Sequence, residues 1–376
     1  MFVVTSYPVA VTVCVLTMLC WGSWANTQKL ASKDWRFQLF YWDYSIGVLL
    51  LALILAFTLG SSGDTGRTFL LDLAQADKRW LGSAFLGGVI FSLSNILLVA
   101  AIDVAGLAVA FPVGVGLALV LGVVTTYLAT GAGNLRMLSA GVAGIVIAIL
   151  LDALAYKRLA STSHKPSARG MTLSIVAGVL MGWFYSFVAQ AIGAVDPMTH
   201  ELPPGKLSPY TAIVSFSLGL FLSNFLWNSI AMRKPLHGEP VSYRDYFTQG
   251  NIRLHLVGIL GGVIWNVGMG LNIIASTKAG PALSYGLGQG ATMIGAIWGV
   301  FIWKEFKGAP SGTGRLLAAM FLFYFLGLGI LIASKLFGLG STTATAETAA
   351  DRRPTSTPVP SSRGPRQSRF GLNGII

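Results

Sequence analysis

Residues 105–116 of this chain read Ala-Gly-Leu-Ala-Val-Ala-Phe-Pro-Val-Gly-Val-Gly, and residues 279–290 read Ala-Gly-Pro-Ala-Leu-Ser-Tyr-Gly-Leu-Gly-Gln-Gly. The two stretches share an initial Ala-Gly pair, a later alanine, an aromatic residue and two glycines, always 174 residues apart. Asn95 precedes the first stretch and Asn266 precedes the second, each within an apolar segment. Self-similarity inside apolar sequence is typical of membrane transporters built from two repeats.

The composition indicates a membrane protein. Hydrophobic residues make up 54% of the 376 and charged residues only 11%, and the mean hydropathy is +0.68. A helix needs about 20 apolar residues to cross a bilayer core. Ten segments meet this requirement, so we predict an all-α polytopic membrane protein with ten transmembrane helices. The predicted spans are 8–28, 43–60, 81–102, 107–130, 137–155, 171–194, 209–231, 254–276, 281–303 and 315–335.

The ten spans divide into two sets of five. Because five is odd, the second set enters the membrane from the opposite side, and the two sets form an inverted repeat. We predict a first five-helix repeat over 1–160, a second over 161–337, and a disordered C-terminal tail over 338–376. The tail consists mainly of Ser, Thr, Ala, Pro and Arg, a composition that cannot form a core.

The distribution of Lys and Arg predicts the orientation. Fourteen lie in loops after odd-numbered spans and seven on the other face, excluding the distant tail arginines. The positive-inside rule therefore places both termini outside the cytoplasm. A solvated tail explains the tail arginines better than a nucleic-acid site does, so we expect no nucleic-acid partner.

Polar and aromatic residues inside the spans are the candidate solute ligands. An unsatisfied amide in hydrocarbon is costly, so each of these polar side chains needs a partner. The partner is a bound solute or, as the alternative, a group on a neighbouring helix. Aromatic faces and amide edges suit a small, neutral, planar or hydroxylated solute. We expect spans one to four and six to nine to line the cavity, with five and ten at the periphery. The candidates are Trp24, Gln28, Asn95, Phe111, Trp183, Gln190, Asn266, Tyr285 and Gln289.

The same Trp–Gln spacing occurs in spans one and six. Trp21 precedes Gln28 by seven positions in span one, and Trp183 precedes Gln190 by seven in span six. Seven residues are about two helical turns, so each pair shares a helix face. Chance pairing in Trp-rich helices is the alternative.

The glycine-rich stretches are candidate gates. Closely spaced glycines weaken a helix near its middle and allow it to bend. Close helix packing is the other interpretation. The candidate gating residues are Pro112, Gly114, Gly116, Gly286, Gly288 and Gly290.

Asp43 is the candidate proton-coupling residue. It opens span two between aromatic residues, in Tyr41-Trp42-Asp43-Tyr44-Ser45, where a carboxylate can titrate near neutrality. A carboxylate that complements the positive end of its helix is the alternative. The four histidines match no metal or catalytic spacing, and no sodium-site pattern is present. We expect a small-molecule substrate, protons and the lipid bilayer as partners, no metal, no cofactor and no enzymatic activity; the oligomeric state stays open.

Several motifs resemble known transporters. Those over residues 20–130 resemble the plant ureide permease family and its bacterial relatives. Residues 254–310, with the sequence Trp-Lys-Glu-Phe-Lys-Gly-Ala at 303–309, resemble the wider drug/metabolite transporter superfamily, including its rhamnose–proton symporters. The first set comprises Trp21-Gly22-Ser23-Trp24, Trp42-Asp43-Tyr44-Ser45, Ala56-Phe57-Thr58, Gly87-Gly88-Val89, Ser94-Asn95 and Ala105-Gly106-Leu107.

This resemblance implies proton-linked uptake of allantoin, uracil, xanthine or similar oxo-heterocycles by ten helices in two inverted repeats, in a bacterial inner (plasma) membrane. The family's Asp-Tyr-Ser motif maps onto Asp43, Tyr44 and Ser45, and its Gly-aromatic segment onto Gly22 and Trp24. The loop from 156 to 170 departs from the plant pattern because it is short and lacks a nucleotide-binding-like motif. A proton-coupled monosaccharide transporter and a non-transporting receptor are the alternative functions.

Overall fold

The computed structural model describes residues 1–31, 34–105, 107–130, 134–159, 168–196, 198–235 and 238–350. Within its helices, side chains are described except at 103, 105, 107–109, 111–112 and 335–350. The described residues form helices and one isolated β-bridge between Ile192 and Leu207. The chain divides into two compact units, Met1–Phe337 and Gly338–Ile376.

The helices follow the predicted spans closely. Nine helical segments in the described ranges are long and apolar enough to cross a membrane, which confirms an all-α polytopic membrane protein. The helices are α1 (Tyr7–Ser23), α2 (Ala25–Ala31), α3 (Phe37–Phe57), α4 (Phe69–Gln75), α5 (Lys78–Ala105), α6 (Leu107–Thr130), α7 (Leu135–Leu159), α8 (Ala168–Ala191), α9 (Pro209–Arg233), α10 (Tyr243–Thr248), α11 (Ile252–Ala279), α12 (Pro281–Gly288), α13 (Ala291–Ile297), a π-helical turn (Trp298–Ile302) and α14 (Thr313–Ala350).

Local sequence signals set several helix boundaries. Ser208 caps α9 by accepting a hydrogen bond from the Thr211 backbone N–H at 3.2 Å, with a proline in the first turn. Asn251 caps α11 by accepting from the Leu254 N–H at 3.0 Å. Gly280 has φ of 93°, a conformation that glycine adopts without strain. It ends α11, and the proline that follows begins α12.

The two echoed glycine stretches differ in structure. Gly114 and Gly116 lie within the continuous helix α6. In the second stretch α12 ends at Gly288 and α13 begins only at Ala291. The ninth predicted span, 281–303, therefore consists of α12, α13 and the π-helical turn, none of which is long enough alone to cross a membrane.

Long helices cross closely where small residues meet. A Cβ at Gly262 would lie 1.9 Å from the Tyr44 carbonyl oxygen, so only glycine permits the contact between α11 and α3. Gly88 allows the same approach of α5 to the Phe216 carbonyl oxygen on α9. Helix α5 also packs against α8, and α11 against α1. Residues 338–350 of the predicted disordered tail belong to α14, and the remainder, 351–376, lies outside the described residues.

Candidate functional site

A cavity of about 310 Å³ lies between α1, α2, α5, α6, α7, α8, α11 and the interrupted α12–α13 segment. Aromatic side chains supply much of its wall. Burial of these rings gives the cavity flat, apolar faces. The aromatic lining residues are Trp21, Trp24, Phe91, Tyr156, Phe184 and Trp265.

Trp265 is the centre of the aromatic wall. The ring of Phe91 lies 4.5 Å from it between centroids, and the ring of Trp21 stacks on it at 6.0 Å. The indole N–H of Trp21 donates to the Trp265 carbonyl oxygen at 3.2 Å. A Cβ at Gly268 or Gly288 would come within 2.7 Å of the Trp21 ring. The glycines on α11 and α12 therefore make the space that this ring occupies.

Two amide side chains interrupt the apolar wall. Asn95 is only 5% exposed, and its amide lies beside the Tyr41 hydroxyl without a well-formed hydrogen bond from Nδ2 to a described residue. Gln289 reaches the cavity from the interruption between α12 and α13. Beside it, the Thr292 hydroxyl donates to the Gln289 carbonyl oxygen at 2.9 Å. An unpaired amide donor in an apolar cavity can bind a carbonyl oxygen of a solute.

Asp152 is a second polar feature of this wall. It is 7% exposed, and its Oδ1 has no hydrogen-bond partner in the described structure. Tyr156, one helical turn further along α7, also lines the cavity. Span five therefore contributes to the cavity, and our expectation of a peripheral position for it was wrong. The reason is that this helix carries its two polar side chains inward near its C-terminal end.

Tyr156 connects the cavity to an ion pair at its edge. Its hydroxyl donates to Glu305 Oε2 at 2.6 Å, and Lys29 Nζ lies 2.5 Å from Glu305 Oε1. Burial raises the pKa of Glu305, but the hydrogen bonds from Lys29 and Tyr156 lower it more, so the net pKa lies below its usual value. Glu305 is thus held as a paired carboxylate.

Asp43 lies outside the cavity lining, in a junction of three elements. The carboxylate is fully buried and accepts a hydrogen bond from Trp35 Nε1 at 2.9 Å and from the Tyr246 hydroxyl at 2.5 Å. His255 Nδ1 lies 2.9 Å from the same oxygen as Tyr246. Burial and the bond to Asp43 raise the pKa of Tyr246, so this hydroxyl keeps its proton and donates.

The Asp-Tyr-Ser motif points in three directions because successive helical residues are about 100° apart. Asp43 contacts α10 and α11. The ring of Tyr44 lies 5.0 Å from that of Trp24, beside the cavity. Ser45 accepts a hydrogen bond from Asn224 Nδ2 at 3.1 Å and so contacts α9. One motif therefore ties α3 to both halves of the sequence.

The structure brings three predicted solute ligands together: Trp24, Asn95 and Gln289 line the cavity. Asn266 is fully buried and donates to the Val48 carbonyl oxygen at 2.7 Å, which is a bond between α11 and α3. Tyr285 donates to the Met181 carbonyl oxygen at 3.1 Å behind the cavity wall.

The remaining candidates lie elsewhere. Trp183 is 51% exposed and Gln190 is exposed on the same face of α8, so this pair faces away from the cavity. Gln28 is half-buried but does not line the cavity. The side chain of Phe111 is outside the described part of the structure.

The candidate gating glycines have different surroundings. A Cβ at Gly114 would lie 2.6 Å from Leu98 Cδ1, and one at Gly290 would lie 2.8 Å from Met18 Cε. A Cβ at Gly286 would lie 3.3 Å from its nearest neighbours, whereas Gly116 faces no described atom within 4 Å. The side chain of Pro112 is not among those described. Gating by these residues stays a prediction.

Sequence reasoning missed several lining residues. Phe91, Phe184 and Trp265 belong to apolar spans, where an aromatic residue gives no signal of its direction, and the spacing of Trp21 indicated only a face shared with Gln28. Asp152 was visible as an ionisable residue at membrane depth, which is itself a signal of function. Among the described residues, no cluster of three His, Cys, Asp or Glu side chains can hold a metal ion.

Comparisons with known proteins agree with this architecture. The ureide permease family model matches residues 40–168 and 154–334. Ureide permease 5 of Arabidopsis thaliana is 24% identical over 89% of this chain and 96% of its own length, and ureide permease 1 of the same plant is 24% identical over 89% and 99%. One solved crystal structure of a protein shares the fold, with 16% identity and a TM-score of 0.52 over 88% of this chain and 99% of that one. The family match spans most of the sequence, and the chain therefore belongs to the ureide permease family.

Proposed function

We propose that this chain is a secondary transporter of small, neutral oxo-heterocycles of the ureide type, and that it couples their uptake to protons by alternating access. The observation that carries this proposal is the aromatic cavity with two amide side chains, Asn95 and Gln289, in its wall. The names of the relatives, ureide permeases, support the same solute class. Membership in a permease family also favours a transporter over an enzyme.

The chemistry of the wall matches such a solute. A planar ring stacks on the faces of Trp21, Trp24 or Trp265. Its carbonyl oxygen accepts from Asn95 Nδ2, and its N–H groups donate to the side-chain oxygen of Gln289. The cavity volume of about 310 Å³ lies at the low end of the range for ligand pockets. A small heterocycle fits these limits better than a large solute.

The packing of the helices supports two inverted repeats, 1–160 and 161–337. Helix α5, in the third predicted span, packs against α8 and α9 in spans six and seven. Helix α11, in span eight, packs in the same way against α1 and α3 in spans one and two. Spans three, six and seven correspond to spans eight, one and two in the other repeat, so the same set of contacts occurs twice. Movement of one half against the other would expose the cavity alternately to each side, with the glycine-rich helices as gates.

Asp43 is suited to couple a proton to this movement. It belongs to the first half, whereas Tyr246 and His255, which bind it, belong to the second. Protonation of the carboxylate would weaken bonds that join the two halves. We expect Asp43→Asn to retain solute exchange and to lose accumulation driven by a pH gradient. Gradient-driven uptake at the wild-type level by that variant would remove Asp43 from the coupling role.

The test is uptake into proteoliposomes that contain the purified protein. Labelled allantoin, uracil, xanthine, rhamnose and glucose are supplied with and without a protonophore. We expect one or more of the three oxo-heterocycles to accumulate and the protonophore to abolish the accumulation. Uptake limited to rhamnose or glucose would show that the solute is a monosaccharide and not an oxo-heterocycle. Binding without any uptake would indicate a receptor. Protease treatment of intact spheroplasts of a bacterium that expresses the protein tests the proposed location of both termini outside the cytoplasm of a bacterial inner membrane.

A further inference from the structure

Asp152 differs from every other carboxylate in the described structure by combining burial, a place in the cavity wall and an unpartnered oxygen. Asp152 is 7% exposed, and its Oδ1 accepts no hydrogen bond from the described residues. The three described ion pairs join Lys29 to Glu305, Arg67 to Asp72 and His255 to Asp43. None of these pairs includes Asp152.

The groups that face Asp152 do not stabilise a negative charge on it. Glu305, which follows the π-helical turn, acts on it as a like charge. Lys29 on α2 is already paired with Glu305. Tyr156, on the same helix, directs its hydroxyl proton to Glu305, and Tyr324 on α14 supplies only a phenol. An ionised Asp152 therefore depends on water in the cavity for its solvation.

A neutral solute removes that water. The remaining wall is mostly aromatic and aliphatic, and a neutral heterocycle brings no positive charge. An ionised carboxylate sealed under such a solute would lose its solvation and gain no counter-ion, which is unfavourable. The protonated acid avoids this cost and can still donate one hydrogen bond to a solute carbonyl oxygen.

We propose that Asp152 is the proton-binding residue of the solute cavity, so that a neutral solute binds with Asp152 protonated and brings a proton into the loaded carrier. The inference rests on the proposed function and gives its cavity a residue that links solute to proton. It is independent of Asp43, which lies outside the lining. Tyr156, one helical turn along α7 from Asp152, is hydrogen-bonded to Glu305 near the membrane face where the odd-numbered spans end.

The test measures the equilibrium affinity of the purified, full-length protein for labelled allantoin as a function of pH. For one coupled proton, Kd rises about tenfold per pH unit above the range in which the free carboxyl is protonated. We expect this rise in the wild type. Asp152→Asn, which mimics the protonated acid, should bind with the wild-type acid-pH affinity at every pH. Asp72→Asn is the matched control, because Asp72 is a buried carboxylate that pairs with Arg67 outside the cavity lining, and the pH dependence of this variant should equal that of the wild type.

A pH dependence in Asp152→Asn equal to that of the wild type would overturn the inference. So would tighter wild-type binding at higher pH, because this would mean that an ionised Asp152 accepts a hydrogen bond from the solute. Should Asp152→Asn fail to fold, proton uptake by the wild type on adding allantoin, read with a pH-indicator dye in weak buffer, decides the question; its absence rejects the inference. Wild-type binding that is independent of pH rejects only the inference, whereas no wild-type binding of allantoin, uracil or xanthine rejects the proposed function with it.

Discussion

Asp43 and Asp152 are both buried carboxylates near the membrane face where odd-numbered spans end, yet their surroundings are opposite. The junction around Asp43 supplies Trp35, Tyr246 and His255 within hydrogen-bond distance. The cavity wall around Asp152 leaves Oδ1 without a partner in the described residues. The first carboxylate therefore joins α3 to α10 and α11, whereas the second has an oxygen available to a solute.

The largest expected effect is a difference in stability between alanine variants of the two carboxylates. Asp43→Ala leaves the indole, phenol and imidazole of its partners without an acceptor, and should lower the free energy of unfolding by about 3 kcal/mol. Asp152→Ala removes a carboxyl that has an unsatisfied oxygen, so stability should stay equal or increase. Thermal melts of both variants in one detergent measure the difference. Equal losses would remove the distinction between the two sites.

A second comparison uses the glycines that face the two regions. A Cβ at Gly258 would lie 2.4 Å from the Asp43 Cβ, whereas Gly295, in the cavity wall, faces no described atom within 4 Å. Gly258→Ala should therefore cost about 2 kcal/mol through overpacking. Gly295→Ala should cost nothing, because alanine favours the helix. The same thermal melts measure both variants. A Gly258→Ala protein with wild-type stability would show that the junction around Asp43 is loosely packed.

The smallest expected effect is on affinity. Asn95→Leu removes the free amide donor from the cavity and should weaken allantoin binding about tenfold, which is the loss of roughly one hydrogen bond. Asn266→Leu is the matched control, since that amide binds Val48 on the α3 side of the molecule. Its affinity should remain at the wild-type level. A control that loses as much affinity as Asn95→Leu would mean that the cavity wall extends to α3.

Local sequence signals predicted much of the fold. Apolar segments of sufficient length located the spans, and glycine followed by proline marked the boundary at Gly280 and Pro281. The echo between the two glycine stretches led to Asn95 and Gln289, which both line the cavity. Polar residues in apolar spans are informative because each needs a partner, a ligand or water.

Other features depend on contacts that no local pattern encodes. The spacing of Trp183 and Gln190 correctly implied a shared face, but spacing does not specify whether that face meets the cavity or the surroundings. His255 lies 212 residues from Asp43 in sequence, so their contact requires the folded chain. Asp152 was recognisable as an ionisable residue, but its lack of a counter-ion follows from the pairing of Lys29 with Glu305.

The central claim, that a neutral solute and a proton enter together, is tested most directly by the pH inside proteoliposomes. An inward gradient of allantoin is imposed at equal pH on both sides, and a trapped indicator dye reports the luminal pH while solute entry is counted. The account predicts that wild-type protein acidifies the lumen as allantoin enters, and that a protonophore removes the acidification. Entry of allantoin with no change of luminal pH would contradict it.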